Sequence, residues 1–384
     1  MSSKVPLSWL LLSKLKSRFF AAIAGIAFAV ILSMMELGFQ EALFAGITQL
    51  FSHMNADLVL ISPLYQCLVA RETFPERRLY QTLAVPQVNS VSSIYMDTAQ
   101  WTNPVNHRDR FIFVVGFKPR HGTFDFPAVD SHLEQISRPG AILFDEVSRS
   151  EFGPIAKIFE SKGSVVTELS RRQVEVVGLF KMGASFANAG HVITSDMNFL
   201  RLNPTRQRGD IDIGLIKLEP GSAVNATKAE LAGMLPDDVT VLTKQEFLDR
   251  EKDYWSRNLP IGFLFRASLV IGLIVGVVIV YQILHSGISE QLAQYATLKA
   301  IGYSDLRLFR VVLEEALILS LLGFIPGVLL TLGLYGVVHS VTALPLRMPV
   351  FRILLVYVMT AAMCASAGAL AYRKLRAADP AEIF

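Results

Sequence analysis

Apolar residues in this chain gather in four long runs, with one long stretch of mixed polarity between the first and the second. Phe19–Met35 carries no charged side chain and is followed by Glu36. Ala267–Leu284, Ala316–Val338 and Ile353–Tyr372 are uncharged over 18, 23 and 20 residues. A helix needs about 20 residues to cross a hydrocarbon core of roughly 30 Å. Each run therefore predicts a transmembrane helix, because buried helices of a globular protein would carry polar punctuation that these lack. Apolar residues continue past Glu36 to Phe51. A helix of that length spans about 50 Å, too long for the bilayer. The first helix is thus expected to leave the membrane near Glu36–Glu41 and rise into an external domain. Lys244–Asn258, with Leu248, Trp255 and Leu259 at helical spacing, reads as the matching descending helix. Pro260 stands where a new helix starts.

The mixed stretch holds short runs rich in β-branched and aromatic residues: Leu58–Ile61, Phe111–Phe117, Val174–Phe180, Val192–Thr194 and Ile211–Leu218. These read as strands. Pro220-Gly221 then breaks the chain, Ala223–Leu235 has helical character, and Asp238–Leu242 returns as a strand. The pattern predicts a mostly β lobe with long connections followed by a small α+β lobe. The expected fold is a membrane protein with four transmembrane α-helices and a large extracytoplasmic α+β domain inserted between helices 1 and 2. Its plan places the N-terminus, first span and extension at 1–51, the external domain at 52–243 and a descending stalk helix at 244–258. The second span follows at 259–288, a cytoplasmic hairpin at 289–313 and the third span at 314–340. A short external loop (341–350), the fourth span (351–372) and a cytoplasmic tail (373–384) complete it.

Charge sets the expected orientation, because Lys and Arg resist translocation. Lys4, Lys14, Lys16 and Arg18 flank the first run, Lys299, Arg307 and Arg310 lie between the second and third, and Arg373, Lys374 and Arg376 follow the fourth. Between the third and fourth stand only Arg347 and Arg352. Both termini and the hairpin are therefore expected in the cytoplasm, and 52–257 outside, as in a multi-pass plasma (inner) membrane protein with a periplasmic domain. The basic flank and long first run suit an uncleaved signal anchor better than a cleaved peptide. Composition agrees: apolar residues make up 52% and charged residues 18%, against about 25% charged in soluble domains. A net charge of +3 leaves no nucleic-acid footprint.

Candidate chemistry is sparse. The sequence has no G-x-S-x-G elbow and no H-E-x-x-H. His53, His107, His121, His132 and His191 lack ligand spacing and read as surface or turn residues. Asp145-Glu146 reads as a turn, because adjacent strand residues point to opposite faces. Cys67 and Cys364 fall on opposite parts of the plan and should not pair. At the membrane edges stand Glu36 and Glu41 on the first helix and Glu314 and Glu315 on the third. Glu36 and Glu41 read as interfacial carboxylates in reach of water. The span centres hold no ionisable residue except Tyr281, Tyr335 and Tyr357, which argues against a proton-driven carrier. No G-x-x-x-x-G-K-[ST] occurs, so the chain is expected to bind no nucleotide, catalyse no reaction and carry no cofactor or metal.

The hairpin is the most informative segment. Leu292, Tyr295, Ala296 and Lys299 fall on one helical face, and Gly302 stands where a helix would end in the left-handed conformation. Ser304 is a candidate N-cap and Asp305 suits a first turn. The second helix then continues through Glu314-Glu315 into the third span. The stretch A-T-L-K-A-I-G-Y (Ala296–Tyr303), Glu315, the pair Gly323 and Gly327, and the tail R-K-L-R-A-A-D-P-A-E-I-F (Arg373–Phe384) resemble MacB-type, FtsX-like ABC permeases. Residues 174–196 (VEVVGLFKMGASFANAGHVITSD) and 236–255 (PDDVTVLTKQEFLDREKDYW) resemble the DevC branch, permeases of tripartite exporters. The family's acidic lead into the loop motif is not matched at Glu290-Gln291 and Gln294-Tyr295.

The resemblance implies a permease homodimer on a dimer of ABC ATPase subunits, which would bind the ATP and magnesium. It also implies a periplasmic membrane-fusion adaptor, an outer-membrane channel, and export of a glycolipid or other lipid-like amphiphile. The ATPase-coupling loop would be Leu298, Lys299, Ala300, Ile301, Gly302, Tyr303 and Ser304. A second reading within the family is a non-transporting, FtsX-like transducer that regulates an envelope enzyme. An anchored ectodomain hydrolase fails for want of a nucleophile constellation.

Overall fold

The computed structural model describes residues 16–185, 188–257, 260–290, 301–342, 344, 346 and 348–377. It divides into two compact units: the long helices up to Glu41 and from Ile261 onward, and Ala42–Pro260 with Val341–Pro345.

The helical unit is built from α1 (Lys16–Ser52), whose last residues belong to the other unit, and from α9 (Pro260–Glu290), α10 (Asp305–Thr342) and α11 (Val350–Ala377). Among the described residues four helices are long and apolar enough to cross a membrane. A shared core of Ala22, Ile26, Val30, Val280, Val312, Leu319, Val356 and Ala367 forms where they meet. The remaining apolar side chains, among them Phe263, Ile271, Leu329 and Val358, face outward. That inversion suits a lipid environment, where outward apolar residues incur no hydration cost. Helix α10, at 38 residues, is about 57 Å long, well beyond the hydrocarbon thickness.

The second unit is a sheet with helices against it. Its strands are β1 (Leu58–Ile61), β2 (Phe74–Pro75), β3 (Val88–Thr102), β4 (Asp109–Phe117), β5 (Ala141–Asp145), β6 (Val165–Leu169), β7 (Arg172–Phe180), β8 (His191–Ser195), β9 (Asp210–Ile211), β10 (Ile213–Leu218) and β11 (Thr240–Thr243). The helices used below are α6 (Asp196–Leu202), α7 (Val224–Met234) and α8 (Lys244–Arg257). Nine strands follow the order β11-β1-β10-β3-β4-β8-β5-β7-β6, and β3 also pairs with β6. The latter contact, Trp101 opposite Leu169, closes β3-β4-β8-β5-β7-β6 into a ring. Trp101 is fully buried inside it, with Phe144 at 5.0 Å and its indole N–H donated to the Phe152 carbonyl at 3.1 Å.

The β–turn–α–β order read over 211–242 is observed as β10, α7 and β11, which flank β1 as two antiparallel neighbours. The long connections expected in the first lobe are in part strands. The 15-residue β3 joins the ring to the β11-β1-β10 side, and β5 and β6 fill the ring.

Candidate functional site

At the start of α10, Ile301 and Gly302 form a turn. Leu298, Lys299 and Ala300, the first part of the expected coupling loop, lie outside the described residues. Gly302 has φ +99°, and among the described residues no atom lies within 4 Å of the place a Cβ would occupy. Its backbone conformation, not crowding, is what calls for glycine. Ile301 is 72% exposed and Leu306 61%. The Ser304 carbonyl accepts from the Leu308 N–H at 3.2 Å, the bond expected of an N-cap residue. The Arg307 guanidinium lies 5.2 Å from the Tyr303 ring centroid. The Tyr372 hydroxyl donates to the Asp305 carbonyl at 2.8 Å, and its ring meets Phe309 at 5.2 Å. An exposed apolar turn is thus mounted on the joined ends of α10 and α11.

Further along α10, Gly323 and Gly327 meet α1. A Cβ on Gly323 would lie 2.6 Å from the Ile26 Cβ, and one on Gly327 2.8 Å from the Val30 Cβ. This G-x-x-x-G spacing lets two backbones approach closely, which in lipid is the main source of helix association. Nearer the end of α10, the Tyr335 hydroxyl donates to the Met34 carbonyl at 2.6 Å.

The membrane-edge carboxylates occupy separate places. Glu41 is ion-paired with Arg352 of α11, a partner that the reading as a merely water-exposed carboxylate did not supply. Glu36 is half-buried, Glu314 exposed and Glu315 buried. About 20 residues of α10 separate Glu315 from Tyr335, roughly 30 Å along the axis, so the two pairs do not form one site.

In the sheet unit, the end of α1 meets α8. The Phe51 and Phe247 rings lie edge to face at 4.8 Å, an arrangement worth about 0.5–1.5 kcal/mol beyond burial. The buried stripe of α8 is Phe247, Glu251 and Trp255; Leu248, expected on that stripe, is only partly buried, and Leu259 lies outside the described residues. Glu251 is fully buried: Oε1 accepts from the Tyr65 hydroxyl at 2.7 Å and Oε2 from the Leu68 N–H at 3.1 Å. Burial pushes its carboxyl up to about 7, against the opposing pull of those two donors and of Arg250 and Arg71. The signal in the sequence was a glutamate spaced i+4 between two aromatics.

A pH dependence follows. The folded value lies above the ordinary 4.5, so the folded state holds the proton more tightly than the unfolded chain. This group's contribution to stability is greatest below pH 4.5 and falls as pH rises towards 7, by roughly 3 kcal/mol. Glu251→Gln is expected to flatten that fall, as measured by denaturant unfolding of the purified protein between pH 4.5 and 8. An unchanged pH slope would refute it.

One sequence reading is corrected by the sheet and another is refined. His191, read as a surface or turn residue, is buried on β8; the turn read at Asp145-Glu146 is present, with the Ser148 N–H donated to the Asp145 carbonyl at 3.0 Å, but Asp145 is also the fully buried last residue of β5. Asp145 accepts from the Met182 and Gly183 N–H groups at 3.0 and 2.8 Å, and His191 Nδ1 lies 3.3 Å from its Oδ2. The carboxylate ties a loop to the sheet, and its burial follows from those bonds. Among the described residues no three His, Cys, Asp or Glu side chains are placed to hold a metal.

Two family profiles match the chain. Residues 19–234 match the family profile of the MacB-like periplasmic core domain, and residues 266–380 match that of the FtsX-like permease C-terminal region. No curated protein sequence gives a significant match. One similar solved structure is the extracellular domain of the noncanonic ABC-type transporter YknZ from Gram-positive bacteria, 16% identical, covering 48% of this chain and 99% of that one at a TM-score of 0.35. Another is the periplasmic region of MacB from Actinobacillus actinomycetemcomitans, 8% identical, covering 51% and 92% at 0.36. The first profile alone spans more than half of the chain, and the second takes in the glycine pair and the helices around it. Four helices of crossing length and a MacB-like periplasmic core mark an inner-membrane protein whose family implies an ABC ATPase partner. The chain belongs to the MacB-type, FtsX-like family of ABC transporter permeases.

Proposed function

We propose that the chain is the permease subunit of a MacB-type exporter of the DevC-like branch, working as a homodimer with a separate ATPase that binds ATP and magnesium. Hydrolysis moves the cytoplasmic hairpin, and the helices relay that movement to a periplasmic domain inserted between the first and second spans. A membrane-fusion adaptor and an outer-membrane channel complete the path for an amphiphilic substrate. The chain itself binds no nucleotide and performs no chemistry. The observation that supports this most is the Ile301–Gly302 turn: an exposed apolar feature fixed by backbone geometry, on a helix that packs against α1 through Gly323 and Gly327. Partner grooves are filled by small, well-held apolar features of this kind.

The test is affinity capture of the tagged, full-length permease from crosslinked cells. The expected result is co-purification of an ABC ATPase, an adaptor and an outer-membrane channel. Capture of the ATPase with a cell-wall hydrolase, and with neither adaptor nor channel, would overturn export in favour of a signalling role.

A further inference from the structure

On the sheet unit a cavity of about 450 Å³ opens where β5 and β7 begin and α6 ends. It falls within the roughly 300–1,000 Å³ of small-molecule sites. Its lining includes Arg172, Arg201 and Gln173, apolar Ile142, Val174 and Leu202, and no carboxylate. Both arginines are exposed, and neither has an ion-pair partner among the described residues. The three apolar residues are buried. A pair of uncompensated guanidinium groups at the rim of an apolar floor matches a ligand with an anionic head and a short apolar body.

The walls are held in place. Arg172 follows a two-residue hairpin turn, Ser170-Arg171, with φ of +51° and +59°, the geometry of a type I′ turn that fixes the register of its flanking strands. Arg201 stands in the last turn of α6. From the same helix the buried Asn198 nails down the opposite wall. Its Nδ2 donates to the Ile136, Arg138 and Ala141 carbonyls at 3.0, 2.8 and 3.2 Å, and its Oδ1 accepts from the Gly140 N–H at 2.9 Å. A site that is already organised loses little entropy when a ligand arrives.

We infer that this cavity is a binding site for a small anionic amphiphile, a phosphate or carboxylate carried on a short apolar chain, with Arg172 and Arg201 holding the head and the exposed Pro139, beside the edges of Val174 and Leu202, meeting the chain. The inference does not rest on the transport reading, since a permease that only signals could bind such a ligand equally well. Hexyl phosphate, which is water-soluble, is the probe. Binding to the full-length protein in phosphatidylcholine nanodiscs is measured by titration calorimetry, with empty nanodiscs subtracted. Saturable binding is expected, weakened about tenfold or more by Arg172→Ala/Arg201→Ala and retained within a few-fold by Arg172→Lys/Arg201→Lys. Hexanol should not bind, and inorganic phosphate should bind more weakly than hexyl phosphate. An unchanged thermal melting point shows that the surface variants still fold. Equal affinity of wild type and the alanine pair, or no saturable binding, would overturn the site. Equal affinity for inorganic phosphate would overturn the apolar half of the assignment.

Discussion

Gly327→Leu is expected to disable the helical unit, while Gly333→Leu, six residues along the same helix, leaves it intact. At Gly327 even a Cβ would sit 2.8 Å from the Val30 Cβ and Cγ1 and 3.1 Å from the Ala27 carbonyl oxygen. A leucine can fit only if α1 and α10 part. Overpacking of this kind costs about 1–3 kcal/mol in soluble cores, where neighbours can shift. Here one obstacle is backbone, and the separation also undoes the Gly323 contact against Ile26. At Gly333 no atom of the described residues lies within 4 Å of an added Cβ, so the same change in volume and helix propensity serves as the control. The measurement is the thermal melting of the detergent-purified protein, followed by size-exclusion chromatography. Loss of a folded peak for Gly327→Leu beside a wild-type profile for Gly333→Leu is the expected pair of results. Equal behaviour of the two variants would refute close packing at that pair.

Gly302→Val should abolish stimulation of the partner ATPase without affecting membrane insertion or the external domain. A valine there meets no atom of the described residues, and the expected damage arises from φ +99°, which a β-branched residue adopts only at a strain of order 1–3 kcal/mol. The turn will instead relax to a negative φ and re-aim Ile301 and the residues before it. Gly302→Asn is the informative companion, because asparagine tolerates positive φ better than other side chains. It should keep a measurable part of the stimulation. ATPase activity of the reconstituted complex, with assembly checked by co-elution, decides the matter. Undiminished activity in the valine variant at equal assembly would reduce the turn to a connector.

The four helices were legible because each is an uncharged run longer than any buried helix needs, and the Gly323–Gly327 spacing stood in the sequence as well. Strands such as Leu58–Ile61 declared themselves by being wholly apolar. Strand β3 did not. Ser90, Ser92, Ser93, Asp97, Thr98 and Gln100 break its apolar alternation, although it pairs with β10, β4 and β6. Part of that polarity is used in tertiary bonds; the Ser93 hydroxyl, for example, donates to Glu76 at 2.5 Å. β6 is only five residues long and alternates buried with exposed, a pattern too brief to stand out from a loop. The partners of Glu251 were beyond reach for another reason. Tyr65 and Leu68 lie 186 and 183 positions away, and nothing local marks such a pairing. The same holds for Asp145, whose acceptor role depends on a loop more than 35 positions further on.

The Lys244 ammonium donates to the Ser52 and Met54 carbonyls at 2.8 and 2.6 Å, and the Lys244 N–H to the Asp57 carbonyl at 3.1 Å. A cation on the first residue of one helix satisfies the last carbonyl of another and a carbonyl just beyond its end. The nearly two hundred residues between them therefore leave and return at a single point. An insert with adjoining ends makes few demands on its host, because the host need only supply two neighbouring attachment positions. Such a segment can lengthen, shrink or be traded for another without disturbing the junction between Ser52 and Lys244. Transplanting residues 53–243 into a related permease, joined at the positions that correspond to Ser52 and Lys244, is accordingly the natural way to ask which properties travel with that segment and which stay with the rest of the chain.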